Sequence, residues 1–145
     1  MSYEPYPAPP PSPYGYGAPG PVGDPRYAPL PGATIGQAVQ RFFQRYAQFR
    51  GRASRSEYWW WTLVSALVSV VFDVLVPASS LFFILDLIWV LAVLVPSIAL
   101  VARRLHDVNR SGWWQFLVLI PIVGWIILLV WFCTDSKPEG ARFDA

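Results

Sequence analysis

Three long apolar runs constrain this 145-residue chain more than any other feature. They extend from Tyr58 to Val76, from Leu81 to Val101 and from Trp113 to Phe132. Each is close to the roughly 20 residues that a helix needs to cross the hydrocarbon core of a membrane. Charged residues make up only 14% of the chain, against roughly 25% in an average soluble domain. The sequence therefore predicts an all-α membrane protein with three transmembrane helices.

Residues 1–33 form a segment of different composition. They hold eleven of the fifteen prolines, and tyrosine and glycine supply much of the remainder. Such a segment has few aliphatic residues for a core and disfavours both helix and sheet. We expect a disordered N-terminal tail with local polyproline II character, followed by a helical membrane domain over residues 34–145. The tail is either a solubilising spacer or a docking strip for a protein partner.

Residues 34–50 show the periodicity of an amphipathic helix. Apolar side chains recur every three or four residues, and glutamines and arginines occupy the opposite face. Thr34 and Gln37 have the spacing of a capping box at the start of this helix. A basic polar face opposite an aromatic one is typical of a helix lying in the membrane interface, although a soluble helix packed on a protein surface has the same pattern.

The arginines predict the orientation of the chain. Ten of the eleven basic residues are arginines, and most of them precede the first apolar run or lie between the second and third. The turn at Pro77, between the first two runs, carries no charge. The positive-inside rule then places both basic blocks and the N-terminus in the cytoplasm. With three full crossings, the C-terminus would be external. This distribution also argues against nucleic-acid binding, since arginines beside membrane spans normally set topology.

Two aspartates lie inside the predicted spans. Asp73 is about one helical turn from the Pro77 turn and Asp86 nearly two, so a hairpin could bring them near one another. Two neighbouring carboxylates would raise one pKa and could hold a proton or cation. Alternatively, Asp73 reaches interfacial water and Asp86 meets a hydroxyl of a neighbouring helix. Pro121 and Gly124, in the third run, either kink that helix or break it into two halves.

The stretch RRLHDVNRSGWW, Arg103 to Trp114, contains the only histidine of the chain. His106 and Asp107 are adjacent, so their side chains diverge by about 100 degrees on a helix, and no nucleophile-elbow motif surrounds Ser111. A metal site would need further ligands, and Cys133 is the only cysteine. We therefore expect neither an enzyme nor a bound cofactor or metal. The stretch is better interpreted as a cytoplasmic anchor between two spans.

Three blocks in order, FRGRASRSEYWW (49–60), RRLHDVNRSGWW (103–114) and LIPIVGW (119–125), resemble the signature motifs of the domain of unknown function 805 family. The resemblance covers about residues 36–143 and leaves out the proline-rich tail. It implies a multipass protein of the bacterial plasma membrane with an all-helical bundle, and it implies no reaction, substrate or cofactor. Asp73 and Asp86 lie outside these motifs.

Both basic motif blocks fall on the predicted cytoplasmic side, and their charges are complementary. We expect a single interfacial cluster in which Glu57 pairs with Arg103 or Arg104, and Asp107 with Arg52 or Arg55. His106 would add a pH-responsive contact. The members of the predicted cluster are Arg52, Arg55, Glu57, Arg103, Arg104, His106, Asp107, Arg110, Trp113 and Trp114.

The sequence thus favours a structural or accessory membrane component of unknown molecular function, in contact with the lipid bilayer and part of an oligomer or a larger membrane complex. The alternative is an oligomeric transporter or channel component that uses Asp73 and Asp86. Three spans enclose little volume, so transport would require several copies or another subunit.

Overall fold

The computed structural model describes residues 27–144, and these are helical with no strand among them. Four α-helices follow one another: α1 (Ile35–Gln44), α2 (Arg55–Leu75), α3 (Ser80–Asp107) and α4 (Val123–Cys133). Three 3-10 segments connect or follow them, at Val76–Ala78, Gly112–Leu119 and Pro138–Phe143.

Helix α1 is amphipathic, as predicted, but shorter than expected. The predicted capping box is present: the Thr34 side chain accepts from the Gln37 amide, and the Gln37 side chain accepts from the Thr34 amide. The helix ends at Gln44 because Arg45 leaves the helical conformation, with φ −108° and ψ 37°. Its buried Phe42 stacks on Trp61 of α2, with ring centroids 3.4 Å apart. This contact fastens α1 to α2.

Helices α2 and α3 are the two predicted spans and form an antiparallel hairpin. They contain 21 and 28 residues, so they measure about 31 and 42 Å, against roughly 30 Å of hydrocarbon. The hairpin turn is the Val76–Ala78 segment, and the Ser79 side chain caps the start of α3. Because α3 is longer than a span requires, its last residues, 102–107, extend beyond the predicted span, which ends at Val101.

The third apolar run does not form one helix. It is divided at Ile120–Ile122 into the 3-10 segment Gly112–Leu119 and the eleven-residue α4. The two parts lie antiparallel, since Trp125 Nε1 donates to the Val118 carbonyl (2.9 Å) and the rings of Trp114 and Trp131 are 5.8 Å apart. Each part is about 16 Å long, half of a hydrocarbon core. A third full span is therefore not confirmed, and we call residues 112–133 the folded-back hairpin.

A proline and a glycine explain the fold-back. Pro121 has no amide hydrogen to continue a helix. Gly124 allows the close approach, because a Cβ there would lie 1.9 Å from the Leu117 carbonyl oxygen. The sequence had left open whether Pro121 and Gly124 kink the run or break it, and the structure breaks it.

The folded-back hairpin returns the C-terminal segment to the end of the bundle where the arginine blocks lie. The Lys137 amide donates to the Asp107 carbonyl and the Gly51 amide to the Phe143 carbonyl, each at 2.8 Å. The expected external C-terminus assumed a third crossing, which would have placed residue 144 at the opposite end from Gly51. In the structure the C-terminal segment and both basic blocks share one end.

Residues 27–33 differ from the expected disordered tail. The Arg52 amide donates to the Tyr27 carbonyl (2.9 Å), and the Ala33 amide donates to Ser56 Oγ (2.9 Å). These residues are hydrogen-bonded because Arg52, just before α2, and Ser56, in its first turn, supply them with partners. The remainder of the expected tail, residues 1–26, lies outside the described residues.

Candidate functional site: a buried polar cluster at one end of the helices

Glu57 is the acidic centre of one part of the cluster. It occupies the third position of α2, where a glutamate completes a capping box with Ser54: the Ser54 amide donates to Glu57 Oε2 (2.9 Å). The same oxygen accepts from the Leu30 amide, and Oε1 accepts from Arg41 Nε at 2.5 Å. Glu57 is buried, so these bonds replace water. The expected partners Arg103 and Arg104 are not used, because α1 places Arg41 directly against the start of α2.

Asp107 also differs from its expected pairing. Instead of Arg52 or Arg55, it pairs with Arg104 one helical turn earlier, with Nη1 and Oδ2 2.5 Å apart and both side chains completely buried. Ser136 Oγ donates to the same carboxylate oxygen. Burial raises the pKa of Asp107 to about 6, and the hydrogen bond from Ser136 and the charge of Arg104 oppose this increase.

Arg104 joins the folded-back hairpin to α3. Its guanidinium group donates to the carbonyl oxygens of Phe132 (2.9 Å) and Thr134. These are carbonyls at the C-terminal end of α4, which have no partner inside the helix, so a cation is favourable there. Burial lowers the pKa of Arg104, and the nearby Asp107 opposes this decrease.

Arg52 and Arg55 pair with the C-terminal residues. Arg52 Nη2 lies 2.6 Å from Asp144 Oδ2, and Arg55 Nη2 lies 2.5 Å from Asp135 Oδ1. The first pair is largely buried, with 14% and 4% of the two side chains exposed, whereas the second is open to solvent at 50% and 82%. The predicted ion pairs involved only acidic residues within the two motif blocks, so Asp135 and Asp144 were not among the expected partners.

His106 contacts the chain backbone and an aromatic ring, and it makes no pair with the adjacent Asp107. Its Nδ1 lies 3.1 Å from the Gly51 carbonyl oxygen, and its ring stacks on Phe143 with centroids 4.0 Å apart and planes 4° from parallel. An Nδ1–H tautomer donates to Gly51 in this arrangement. Burial lowers the pKa of His106, and the Gly51 carbonyl opposes the decrease. His106 therefore holds the FRGRASRSEYWW block and the C-terminal segment together as a neutral ring.

Arg103 joins the two motif blocks through the main chain, since the Ala53 amide donates to its carbonyl oxygen (3.0 Å). Its side chain turns back along α3, and Nε donates to the Ala99 carbonyl (3.3 Å). Nη2 is buried without a hydrogen-bond acceptor among residues 27–144. Burial lowers the pKa of Arg103 to about 10, helped by the charge of Arg45.

The remaining members of the predicted cluster lie at its edge. The guanidinium of Arg110 is 4.9 Å from the centroid of the Trp131 ring, in cation–π geometry. Trp114 packs edge-on against the same ring, and Trp113 is largely exposed. These three residues belong to the folded-back hairpin and its entry, and they are apart from the ion pairs.

Asp73 and Asp86 are not brought together by any contact in the part of the chain that is described. Asp73 is exposed and Asp86 half-buried, and neither makes a hydrogen bond or ion pair within residues 27–144. The same residues contain no group of three or more histidine, cysteine or acidic side chains that could hold a metal ion. A proton or cation site at these two aspartates stays a prediction.

Several members of the cluster were missed because they lie outside the two motif blocks. Arg41 comes from α1, whereas Asp135, Ser136 and Asp144 come from the C-terminal segment. Ser54 lies within the first motif block and was also not predicted as a member. The sequence does signal it, since serine followed three residues later by glutamate, before an apolar run, is a capping box.

The family model for proteins of unknown function DUF805 matches residues 46–145, which include α2 to α4 and the C-terminal segment but not α1. The inner membrane protein YhaI of Escherichia coli strain K12 is 41% identical over 101 residues, 69% of this chain and 86% of that protein. The inner membrane protein YhaH of the same strain is 38% identical over 108 residues, 71% of this chain and 89% of that protein. No solved structure matches the chain.

Proposed function

The chain belongs to the DUF805 family of membrane proteins of unknown function, and we propose that it is a structural or accessory component of a bacterial inner membrane rather than a catalyst. The observation that supports this proposal is that its charged side chains have partners within the same chain. Most of the motif charges bind other parts of the same chain: Glu57 holds Arg41 and the Leu30 amide, and Asp144 holds Arg52. Such a cluster fixes chain segments at a membrane surface.

The outer faces of the two spans support an accessory role. Few residues of α2 and of the apolar part of α3 are buried within the chain, and large apolar side chains such as Leu67, Val74 and Leu91 are more than half exposed. In a bilayer these faces contact lipid or the helices of other membrane proteins. We propose that the protein binds other membrane subunits, or further copies of itself, through α2 and α3.

In vivo photo-crosslinking tests this role. A photoreactive amino acid at Leu67 or Leu91 should form discrete higher-mass adducts, since both side chains point outward. The same amino acid at the buried Leu100 is the matched control, and it should give no such adducts. Adducts with lipid alone from both outward positions would contradict the accessory role.

The folded-back hairpin supports a topology of two spans with both ends of the described chain in the cytoplasm. Cys133 is exposed near the arginine cluster and is the only cysteine. It should therefore react with a membrane-impermeant thiol reagent only after the cells are permeabilised. A Cys133→Ser, Ser79→Cys variant, with its thiol in the exposed hairpin turn, should react in intact cells. Labelling of Cys133 in intact cells would contradict this topology and support three spans instead.

A protein partner of the proline-rich tail is a second part of the proposal. Because residues 27–33 bond to α2, the informative truncation removes residues 1–26 and retains Tyr27 and Leu30. Partners that copurify with the full chain and are lost from this truncated form bind the tail. Identical partners from both forms would show that the tail is a spacer.

The transport alternative depends on Asp73 and Asp86, and none of the contacts of the described residues favours it. Replacing both by asparagine distinguishes the two hypotheses. A transport role requires loss of proton or cation flux in vesicles, whereas a structural role leaves vesicle permeability unchanged.

A further inference from the structure

The buried contacts of α2 and α3 are confined to one half of their length. The buried side chains of α2 are Glu57 and Trp61, which lie about 3 and 9 Å from the start of a helix about 31 Å long. On α3 every buried side chain lies between Val93 and Asp107. This half adjoins the end of the bundle where the arginine cluster lies. We call it the cytoplasmic half, after the two-span topology proposed above.

Helix α1 covers one side of the cytoplasmic half. Its Phe42 stacks on Trp61, and Tyr46, just after α1, donates its hydroxyl hydrogen to the Ala92 carbonyl (2.5 Å). Ala92 lies about 22 Å along α3 from its last residue, so this contact is inside the hydrocarbon region of the two-span topology. The neighbouring Phe43 is 47% exposed. Helix α1 therefore contacts both the spans and the surrounding acyl chains.

The folded-back hairpin covers a further side of the same half. Leu128 and Phe132 of α4 form a buried cluster with Leu105 of α3. Residues 112–133 contain no charged side chain, and Leu119, beside the reversal of the chain, is 75% exposed. An uncharged segment with large exposed apolar side chains is stable among acyl chains and costly in water. The hairpin is therefore inserted in the membrane.

The hairpin ends about halfway across the membrane. Each of its two parts is about 16 Å long, against roughly 30 Å of hydrocarbon. Its reversal is suited to that depth, because the amides of Ile120, Val123 and Gly124 donate to main-chain carbonyls within the hairpin. The hairpin and α1 thus occupy the cytoplasmic leaflet and do not continue into the other one.

Within the described part of the chain, only α2 and α3 occupy the other half. None of residues 62–92 is buried. Large apolar side chains there are more than half exposed, among them Leu67, Val70, Val74, Phe83, Ile84 and Ile88. A helix with its side chains is about 10 Å across and takes up on the order of 80 Å² of the membrane plane. Helix α1 and the two parts of the hairpin therefore enlarge the cytoplasmic half by on the order of 200 Å².

We propose that the protein is a membrane wedge, which prefers and stabilises a bilayer curved so that the cytoplasmic leaflet is the convex one. This proposal rests on the two-span topology proposed above. A convex leaflet is expanded, so segments inserted in it fill the gaps between its lipids, as interfacial helices do. The same segments in a concave leaflet compress the acyl chains. Because preference and stabilisation are reciprocal, a protein that concentrates in curved membrane also favours its formation.

Membrane tubes pulled from giant vesicles of dioleoylphosphatidylcholine and dioleoylphosphatidylglycerol test the proposal, since the outer leaflet of each tube is convex. A membrane-impermeant fluorescent maleimide added outside labels Cys133 only in chains whose arginine-cluster end points outward. In the Cys133→Ser, Ser79→Cys variant it labels only chains of the opposite orientation, because residue 79 lies at the turn between the spans.

The two orientations should be sorted in opposite directions. The ratio of protein to lipid fluorescence should be higher in the tube than in the vesicle for chains labelled at Cys133, and lower for the Ser79→Cys variant. The difference should grow as the tube is narrowed. Equal ratios for the two orientations, or the reverse order, would overturn the proposal.

The labelling of Cys133 in cells distinguishes the two ways in which this proposal can fail. Reaction in intact cells contradicts the two-span topology itself. Equal sorting of a protein whose Cys133 reacts only after permeabilisation contradicts the wedge and leaves the topology in place.

Leu119→Asp should weaken the sorting, because a carboxylate near the middle of the bilayer is costly and the hairpin then leaves the leaflet. Leu81→Asp is the matched control, since Leu81 is also an exposed leucine (57%) but lies in the first turn of α3, at the outer membrane surface. It should sort like the wild type. Equal losses in the two variants, or full sorting of Leu119→Asp, would contradict the wedge. The comparison of orientations uses neither variant, so it tests the proposal even if Leu119→Asp does not fold.

Discussion

Arg52 and Asp144, 92 residues apart in the sequence, form a nearly buried ion pair in which both carboxylate oxygens accept from Nε, at 3.0 and 2.9 Å. Arg52 belongs to the first motif block and Asp144 is the last residue that the structure describes. The pair closes the polar cluster, because the C-terminal segment is bonded on one side to Arg52 and on the other to the end of α3.

Asp144→Asn should detach the C-terminal segment. Removing one partner of a buried pair leaves the other charge unpaired at a cost of about 3 kcal/mol. Hydrogen exchange of residues 138–144 should accelerate by about two orders of magnitude, as measured by mass spectrometry. Asp135→Asn is the matched control, since its pair with Arg55 is solvent-exposed and is worth about 1 kcal/mol or less. Equal acceleration in both variants would contradict a special role for Arg52 and Asp144.

Arg41 and Glu57 should be energetically coupled. Glu57→Gln and Arg41→Gln each remove the same ion pair, so the double variant should lose less stability than the sum of the two, with a coupling energy of about 1–3 kcal/mol. Thermal or denaturant unfolding in detergent measures the three variants. The pairing first expected from the sequence provides the comparison: Glu57→Gln combined with Arg104→Gln should be nearly additive, since these side chains share no bond. A large coupling in this second cycle instead would favour the original pairing.

Gly124→Ala should open the folded-back hairpin. The added Cβ would lie 1.9 Å from the Leu117 carbonyl oxygen, and that oxygen belongs to rigid main chain. Forced overpacking of this kind costs about 1–3 kcal/mol or more. We expect a lower unfolding temperature and a changed rate of thiol labelling at Cys133. Gly36→Ala, on the exposed side of α1, has no atom within 4 Å of the added Cβ and should leave both measurements unchanged or slightly raise stability.

The sequence predicted what depends on local patterns. The capping box at Thr34, the hairpin at Pro77 and the two long spans follow from residue types at fixed spacing, and the structure contains all three. The meeting of the two motif blocks was inferred from their predicted position at one membrane face, and in the structure the Ala53 amide donates to the Arg103 carbonyl. The first three features need no knowledge of distant contacts.

The ion-pair partners could not be predicted in this way. Complementary charge identifies which residues could pair. The actual partner depends on how the helices pack, and the packing of α1 places Arg41 rather than Arg103 beside Glu57. The reversal of the chain in the third apolar run had the largest effect on which residues pair. A hydropathy profile counts apolar residues, so it does not distinguish one membrane crossing from two half-crossings. Once Pro121 and Gly124 reverse the chain, Asp135 and Asp144 return to the arginines.

His106 should make the attachment of the C-terminal segment sensitive to pH. Burial lowers its pKa, so the folded protein binds fewer protons at this site than the unfolded chain. The stability contributed by neutral His106 is therefore full above its ordinary pKa of 6.5 and decreases as the pH falls below that value toward the lowered pKa. Asp107 acts in the opposite direction: its pKa is raised to about 6, so its burial costs more stability as the pH rises from about 4 to 6.

A His106→Asn variant separates the two groups. Asparagine can still donate to the Gly51 carbonyl but does not titrate, so the variant should retain only the Asp107 dependence. Between pH 7 and 5 the wild type should lose stability relative to His106→Asn, as measured by hydrogen exchange of residues 138–144. Parallel pH profiles for the two proteins would show that His106 does not titrate in this range.

The bond between Tyr46 and Ala92 has a consequence for the order of assembly. Pro96 has no amide hydrogen, so the Ala92 carbonyl has no partner within α3, and the Tyr46 hydroxyl supplies one. A carbonyl without a partner in hydrocarbon is costly, so the hydrogen bonding of α3 is complete only when Tyr46, just after α1, lies beside it. During synthesis, however, Tyr46 is added to the chain 46 residues before Ala92. We therefore expect α1 and Tyr46 to dock on α3 only after α3 has been inserted into the membrane.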